Sequence, residues 1–329
     1  MLQLDKPGAL LQATENTMYY ATPTNEAVDG FLYHNSFWLE TPQWVPVKIQ
    51  EVSLQSLRET LRPEMPVTLK WQAASKDTFK SDFIKIQNKI LEGNWKKAVP
   101  MTYEIANNKE GLFKHSLSHL LQSSGSGFIY AYWGTETWFL GLSPETLYEW
   151  NGSEIQTLAV AGTSHVQNKI QLLDTKKERL EHQYVVDGIK EILENEGHVD
   201  IGKTETYQVG PLEHLKTKIS VKCNSLSQTP ELIEKLHPTP ALGSYPLTYR
   251  REPLRSILSP RPNLVFGSPF GLITKDWHKV IVAIRNLQML DNNLYLSAGC
   301  GVVAESVLEQ EWSELHSKRQ AIKQRLGLL

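Results

Sequence analysis

The sequence predicts an α+β fold built around large, mainly antiparallel sheets. Three observations carry that reading. Strand-like runs follow one another across short turns, a few long helical segments interrupt them, and the regular strand–helix alternation of a parallel sheet is missing. Residues 1–75 alternate short strand-like runs with turns. In that region Val45, Val47 and Ile49 share one face of a half-buried strand, and Pro46, lacking a backbone donor, predicts a sheet edge. Residues 75–93 read as a helix, because Phe79, Phe83, Ile84, Ile86, Ile90 and Leu91 fall mostly at helical spacing and Gly93 offers a stop. Strands follow at 128–133 and 137–142. The runs 147–150 and 154–160 flank Asn151-Gly152, which predicts a hairpin with a type I′ turn. Residues 175–196 predict a long helix that buries Leu180, Tyr184, Val185, Ile189, Ile192 and Leu193. Further strands are expected at 204–209, 215–221, 279–287 and 294–298, and a last helix at 308–326. Internal repeats and linker-like tracts are absent, so the two halves are expected to fold together.

The 329 residues carry a formal net charge of -2 with both signs dispersed, which leaves no basic footprint for nucleic acid. The two cysteines, Cys223 and Cys300, form no CxxC and fit a reducing compartment. Residues 1–20 lack the basic-then-apolar order of a signal peptide, and no apolar run is long enough to cross a bilayer. A cytoplasmic protein without membrane contact is expected.

Several clusters could carry chemistry. Glu311 and Glu314 are three apart and share a helix face, with Lys318 one turn further on. Glu178 and Glu181 repeat that spacing on a second helix. If the two helices face each other, four carboxylates converge and require neutralisation, and an oxygen-only donor set suits Mg²⁺. The plainer alternative is two solvated faces, with Glu314 and Lys318 an ordinary ion pair. Arg285 ends an apolar run, and Gly299-Cys300-Gly301 lets backbone approach a ligand closely. Glu145, after Ser143-Pro144, reads as either an exposed turn residue or an acid. Gly162, in Ala161-Gly162-Thr163, offers an amide to an anion or merely a bend. Lys97 reads as inward-pointing or as solvated. His237-Pro238-Thr239-Pro240-Ala241 is a rigid segment that presents His237 and Thr239, or a structural loop.

Taken together and in order, these segments resemble the chorismate-utilising enzymes, which include anthranilate synthase component I, aminodeoxychorismate synthase, isochorismate synthase and salicylate synthase. The resemblance runs from Lys97-Ala98-Val99 through Lys177-Glu178-Arg179-Leu180-Glu181-His182 to Ala283-Ile284-Arg285, Ser306 and Glu311-Trp312-Ser313-Glu314. It covers about residues 75–329. It implies one structural domain with a sandwich-like core flanked by helices, in which 1–75 is a divergent, shortened amino-terminal part and 76–329 the chorismate-binding catalytic region. It implies chorismate as substrate, Glu181 and Glu314 as direct Mg²⁺ ligands, and Glu178 and Glu311 as ligands through water, with the ion on the ring carboxylate. Arg285 and Lys318, with backbone of Gly162 and Gly299, would hold substrate carboxylates, and Thr163, His237 and Thr239 complete the implied substrate site.

Two positions sort the relatives. Ala161 stands where some aminodeoxychorismate synthases carry a nucleophilic lysine. Lys97 stands where anthranilate synthases resemble a form with glutamine, and it looks like the water-activating base of isochorismate and salicylate synthases. Glu145 matches the general acid. The resemblance therefore implies an isochorismate synthase for menaquinone or siderophore formation, with salicylate synthase or a non-catalytic chorismate binder as alternatives. A monomer with no fused amidotransferase is expected. Three departures stand out: Ser268 where glycine is usual, an irregular stretch at 251–263 without a plainly placed arginine, and Gly243-Ser244 in place of a more glycine-rich turn.

Overall fold

The structure, a computed structural model, describes residues 2–123, 127–168, 171–210, 212–223 and 229–328. Its strands are β1 (Gly8–Gln12), β2 (Thr17–Pro23), β3 (Gly30–His34), β4 (Gln43–Ser53), β5 (Lys97–Ala98), β6 (Met101–Asn107), β7 (Phe128–Trp133), β8 (Trp138–Ser143) and β9 (Thr146–Trp150). They continue with β10 (Glu154–His165), β11 (Val199–Ile201), β12 (Glu205–Val209), β13 (Leu212–Lys222), β14 (Ser244–Tyr245), β15 (Pro269–Thr274), β16 (His278–Val282), β17 (Asn286–Leu290) and β18 (Asn293–Gly299). The helices are α1 (Leu54–Thr60), α2 (Lys76–Leu91), α3 (Leu112–Leu121), α4 (Lys176–Leu193), α5 (Thr229–Leu236), α6 (Glu252–Ile257) and α7 (Leu308–Arg325).

One antiparallel sheet of 16 strands runs in the order β11-β13-β10-β9-β16-β15-β3-β4-β2-β1-β7-β8-β17-β18-β6, with β12 also on β13, while β14 and β5 pair separately. The path is a single sheet that folds back on itself, since Gly162 of β10 and Gly299 of β18 line the same cavity from opposite flanks. Strands β1 to β4, from the amino-terminal part, lie in the middle of the path. Helices cover the outside. Leu54 and Leu57 of α1 pack with Leu117, Leu120 and Leu121 of α3 on one flank. Val185, Ile189 and Leu193 of α4 pack with Ile233 of α5 on Leu147 and Ile155 of the other. The helix at 75–93 forms as its pattern predicts: Ser75 caps it, its hydroxyl accepting the Thr78 amide at 3.1 Å, and Phe79, Phe83 and Ile86 are buried.

Four local expectations are corrected. Strand β4 is interior, pairing with β2 on one side and β3 on the other. Pro46 is tolerated there because its carbonyl accepts from Thr24, so the side that lacks a donor faces the chain just beyond the end of β2. The Asn151-Gly152 hairpin forms, but only Gly152 has a positive φ (90°), whereas a type I′ turn needs two. The Asn151 side chain instead accepts the amides of Ser153 (3.1 Å) and Glu154 (3.0 Å). On α4, Leu180 and Tyr184 are only half-buried, and Glu178, Glu181 and His182 take the inner face. The run expected as one strand at 279–287 breaks between β16 and β17, because β16 pairs with β9 and β15 whereas β17 pairs with β8 and β18.

Candidate active site

That break places Arg285 where the chain crosses from one flank of the sheet to the other. Its φ is 54°, a left-handed conformation at the residue just before β17, and the side chain is buried. The guanidinium is buried, which lowers its pKa to about 10, and Nη2 donates to His214 Nε2 at 3.2 Å. His214 Nδ1 lies 3.2 Å from the Gly162 carbonyl and 3.1 Å from Thr163 Oγ1. A carbonyl can only accept, so the proton sits on Nδ1 and Nε2 is left to receive Arg285. Burial, followed by Arg285 and Lys318, holds His214 well below its ordinary pKa and hence neutral. Sequence reasoning missed this residue. Its signal is a cross-strand relation, His214 opposite Thr163 beside a bulge at Gly162, where φ is 74°.

Glu145 follows β8 and is buried. Ser143 holds the turn, its hydroxyl donating to the Val282 carbonyl (2.6 Å) and accepting the Glu145 amide (3.1 Å). Burial raises the Glu145 pKa to about 7, against opposing pulls from the Thr239 hydroxyl, which donates to Oε1 at 3.2 Å, and from Lys97. Lys97 is fully buried, and its Nζ lies 3.2 Å from Glu181 Oε1. It sits in a two-residue strand whose partner is the Ser244-Tyr245 segment, so the unusual Gly243-Ser244 turn supports this lysine directly. Gly301 leaves the room: a Cβ there would collide with the Glu181 carboxylate and the Lys97 stem.

The four predicted metal-binding carboxylates do face one another across α4 and α7. Each is drawn to a lysine. Lys177 Nζ lies 3.2 Å from Glu178 and 2.8 Å from Glu311, Lys318 lies 2.6 Å from Glu314, and Lys97 holds Glu181. Burial and then Glu314 push Glu311 up to about 7. For Glu181 burial pushes upward, but Lys97, Lys177 and Lys318 outweigh it and keep the carboxyl below its usual value. Lys177 is raised because its four glutamate neighbours outweigh its burial. Among the described residues no three such groups are gathered tightly enough to hold an ion as they stand. The donor set nonetheless fits a hard divalent cation: it is oxygen-only, its Glu181 lines the cavity, and Glu311 Oε2 is buried without a hydrogen-bond partner.

The cavity is lined by Glu145, Gly162, Thr163, Glu181, Arg285, Gly299 and Lys318, all of them predicted site residues, together with His214 and an apolar wall that includes Leu242, Phe266 and Ile284. Lys318 Nζ also donates to the Gly299 carbonyl at 2.8 Å, tying α7 to β18. Lys97 and Thr239 stand behind this lining, against Glu181 and Glu145. Glu311 and Glu314 line an adjoining cleft with Lys177, while Glu178 accepts the Thr163 amide at 2.7 Å. His237 is placed elsewhere: its Nε2 bonds the Phe37 carbonyl at 2.7 Å, and burial lowers its pKa to about 3, so it fixes a loop instead of facing the cavity. Ser268 turns away as well, its hydroxyl donating to the Val265 carbonyl at 2.7 Å.

The chain as a whole has relatives among known proteins. The chain is 29% identical over 224 residues to the salicylate biosynthesis isochorismate synthase of Pseudomonas aeruginosa, covering 65% of this chain and 47% of that protein. It is 28% identical over 278 residues to the isochorismate synthase MenF of Bacillus subtilis, covering 78% and 57%. The chain thus spans about half the length of the curated relatives it matches. Its fold superposes on MenF, the menaquinone-specific isochorismate synthase from Escherichia coli, with a TM-score of 0.81 over 98% of this chain and 89% of that one, at 18% identity. The sequence pattern of the chorismate binding enzymes matches residues 39–327, which takes in every site element described above, and the chain belongs to that family.

Proposed function

We propose that this chain is an isochorismate synthase, converting chorismate to isochorismate by adding water at C2 and losing the C4 hydroxyl. One observation carries the reading: a buried acid with a pKa near 7, Glu145, lines a cavity that Arg285 and Lys318 make attractive to carboxylates, and a fully buried lysine, Lys97, stands behind that lining against Glu181. The relatives' names support the same chemistry.

In this mechanism Arg285, oriented by His214, and Lys318 bind the substrate carboxylates, and the amides of Gly162 and Gly299 border them. As the free amine, Lys97 accepts the proton of the attacking water. The ring double bonds shift as C2–O forms, and Glu145 gives its proton to the C4 oxygen, which leaves as water. Phe266 and Leu242 shield the ring from bulk solvent. Glu178, Glu181, Glu311 and Glu314 would hold Mg²⁺, which when bound supplies positive charge to orient and polarise a substrate carboxylate. Two free cysteines accord with work in the reducing cytoplasm, and among the described residues no helix is long and apolar enough to cross a membrane.

The test supplies isochorismate alone with Mg²⁺ and follows products by chromatography. Chorismate is the expected product, because the isomerisation is near balance. Accumulation of salicylate and pyruvate would move the assignment to salicylate synthase, and no reaction in either direction would overturn it.

A further inference from the structure

The crossover that carries Arg285 holds a backbone conformation that the residue itself does not favour. Ala27, Leu39, Asp291 and Asn292 also have a positive φ, but they lie in exposed or half-buried connecting segments, whereas Arg285 is buried. A left-handed residue other than glycine persists inside a fold only where its surroundings over-determine it. Here they can be named bond by bond. The Ala283 amide donates to the Ser268 carbonyl and the Ile284 amide to the Val282 carbonyl, both at 2.8 Å. The Ala283 carbonyl accepts the Gly267 amide (2.8 Å) and Asn286 Nδ2 (3.0 Å). The Arg285 carbonyl takes a longer bond, 3.4 Å, from the Leu142 amide.

The remaining acceptor is the Ile284 carbonyl, which belongs to the peptide plane joining Ile284 to Arg285. Rotating that plane changes ψ of Ile284 and φ of Arg285 together, so whatever grips this oxygen sets the conformation of Arg285. Among the described residues no backbone amide reaches it. The Tyr130 hydroxyl does, donating at 2.9 Å. Tyr130, in β7, is fully buried, with its ring against Phe270 (centroids 5.6 Å apart) and Phe139 (6.3 Å). Burial raises its pKa well above the ordinary phenol value, so the hydroxyl keeps its proton and stays a donor. Tyr130 does not line the active-site cavity.

We infer that Tyr130 is a positioning residue for substrate binding: its hydroxyl holds the 284–285 peptide so that the Arg285 guanidinium stays on His214 and in the cavity. The inference rests on the reading of Arg285 as a group that binds a chorismate carboxylate. That carboxylate keeps its charge through the reaction. Losing the grip on it therefore weakens ground state and transition state alike, and the loss falls on KM and not on kcat.

The test is steady-state kinetics of the full chain with chorismate and Mg²⁺, in Tyr130→Phe, Arg285→Met and the double variant. Tyr130→Phe keeps the ring and removes one oxygen. Its KM should rise about ten-fold with kcat within about two-fold of the parent. Arg285→Met should raise KM further, and adding Tyr130→Phe to it should change KM by less than about two-fold, because the tyrosine acts through the arginine. 4-Aminophenylalanine in place of Tyr130 retains a weaker N–H donor, so its KM should lie between those of the parent and Tyr130→Phe. It serves in the same two backgrounds should Tyr130→Phe fail to fold. Unchanged KM in Tyr130→Phe beside a raised KM in Arg285→Met would overturn this inference alone. So would an equal rise of KM in both backgrounds, or a loss of kcat as large as the change in KM, either of which marks a merely structural tyrosine. Unchanged KM in Arg285→Met, or no turnover in the parent, would overturn the substrate reading and this inference with it.

Discussion

Lys97 Nζ lies 3.2 Å from Glu181 Oε1, and the lysine is wholly buried. One carboxylate of the set proposed to hold Mg²⁺ therefore touches the lysine proposed to activate water. Anything that moves Glu181 changes both groups at once.

Lys97→Ala and Glu145→Ala should each lower kcat by roughly 10²-fold or more, the usual scale for a positioned base or acid. Chorismate affinity should survive in both, because Arg285 and Lys318 are untouched. Steady-state kinetics paired with a direct binding titration checks this. Near-normal turnover in Lys97→Ala would remove the lysine from the mechanism.

The raised pKa of Glu145 fixes the sign of a pH effect. Its carboxyl moves from the ordinary 4.5 to about 7 in the fold, so the native state binds a proton that the unfolded chain releases. This contribution to stability is fully present below pH 4.5 and is lost as pH rises through about 7. Glu145→Gln should therefore be more stable than the parent at pH 8, by on the order of 3 kcal/mol, and little different at pH 4. Denaturant unfolding at the two pH values measures it. The parent's kcat should also fall as pH rises past 7, since the acid must be protonated.

Chelation with EDTA should abolish turnover, and Mg²⁺ should restore it. Glu181→Ala and Glu314→Ala should lose more activity than Glu178→Ala and Glu311→Ala, since direct ligands cost more to remove than water-mediated ones. Independently of activity, Mg²⁺ should raise the Tm of the parent and not that of Glu314→Ala. Full turnover in excess chelator would refute this assignment.

Gly301→Ala should fold and yet lose kcat on the order of 10²-fold, because its methyl would displace the Glu181 carboxylate and the Lys97 stem. Normal kinetics in this variant would show that the two side chains tolerate displacement.

Much of the architecture was legible because local patterns and the fold agree. Ser75 and the stripe Phe79, Phe83 and Ile86 specify α2 through capping and periodicity alone. On α4 the same logic found Val185, Ile189, Ile192 and Leu193 but also placed Leu180 and Tyr184 in the stripe, where the structure buries Glu178, Glu181 and His182. There Glu178 and Glu181 point inward because lysines compensate them, Lys177 of the same helix for Glu178 and Lys97 of β5 for Glu181. Pro46 misled for a related reason, since an edge was inferred from one residue while the neighbouring strand's length decided the matter. His214 could not be found from its own segment, as its role comes from facing Thr163 and Arg285 across strands. Lys177 likewise looks like an ordinary surface residue until α7 is brought opposite α4.

The folded-back sheet has a kinetic consequence. Arg285, Gly162 and Gly299 meet only after strands far apart along the path have closed on each other. Such long-range closure tends to come late in folding, since the loop entropy is lost before the contacts are gained. Chorismate held between the two flanks would then act as a clasp on the last step to form and the first to open. Bound substrate should slow unfolding more than it speeds folding, so nascent chains gain no ligand protection until the whole barrel-like turn is complete.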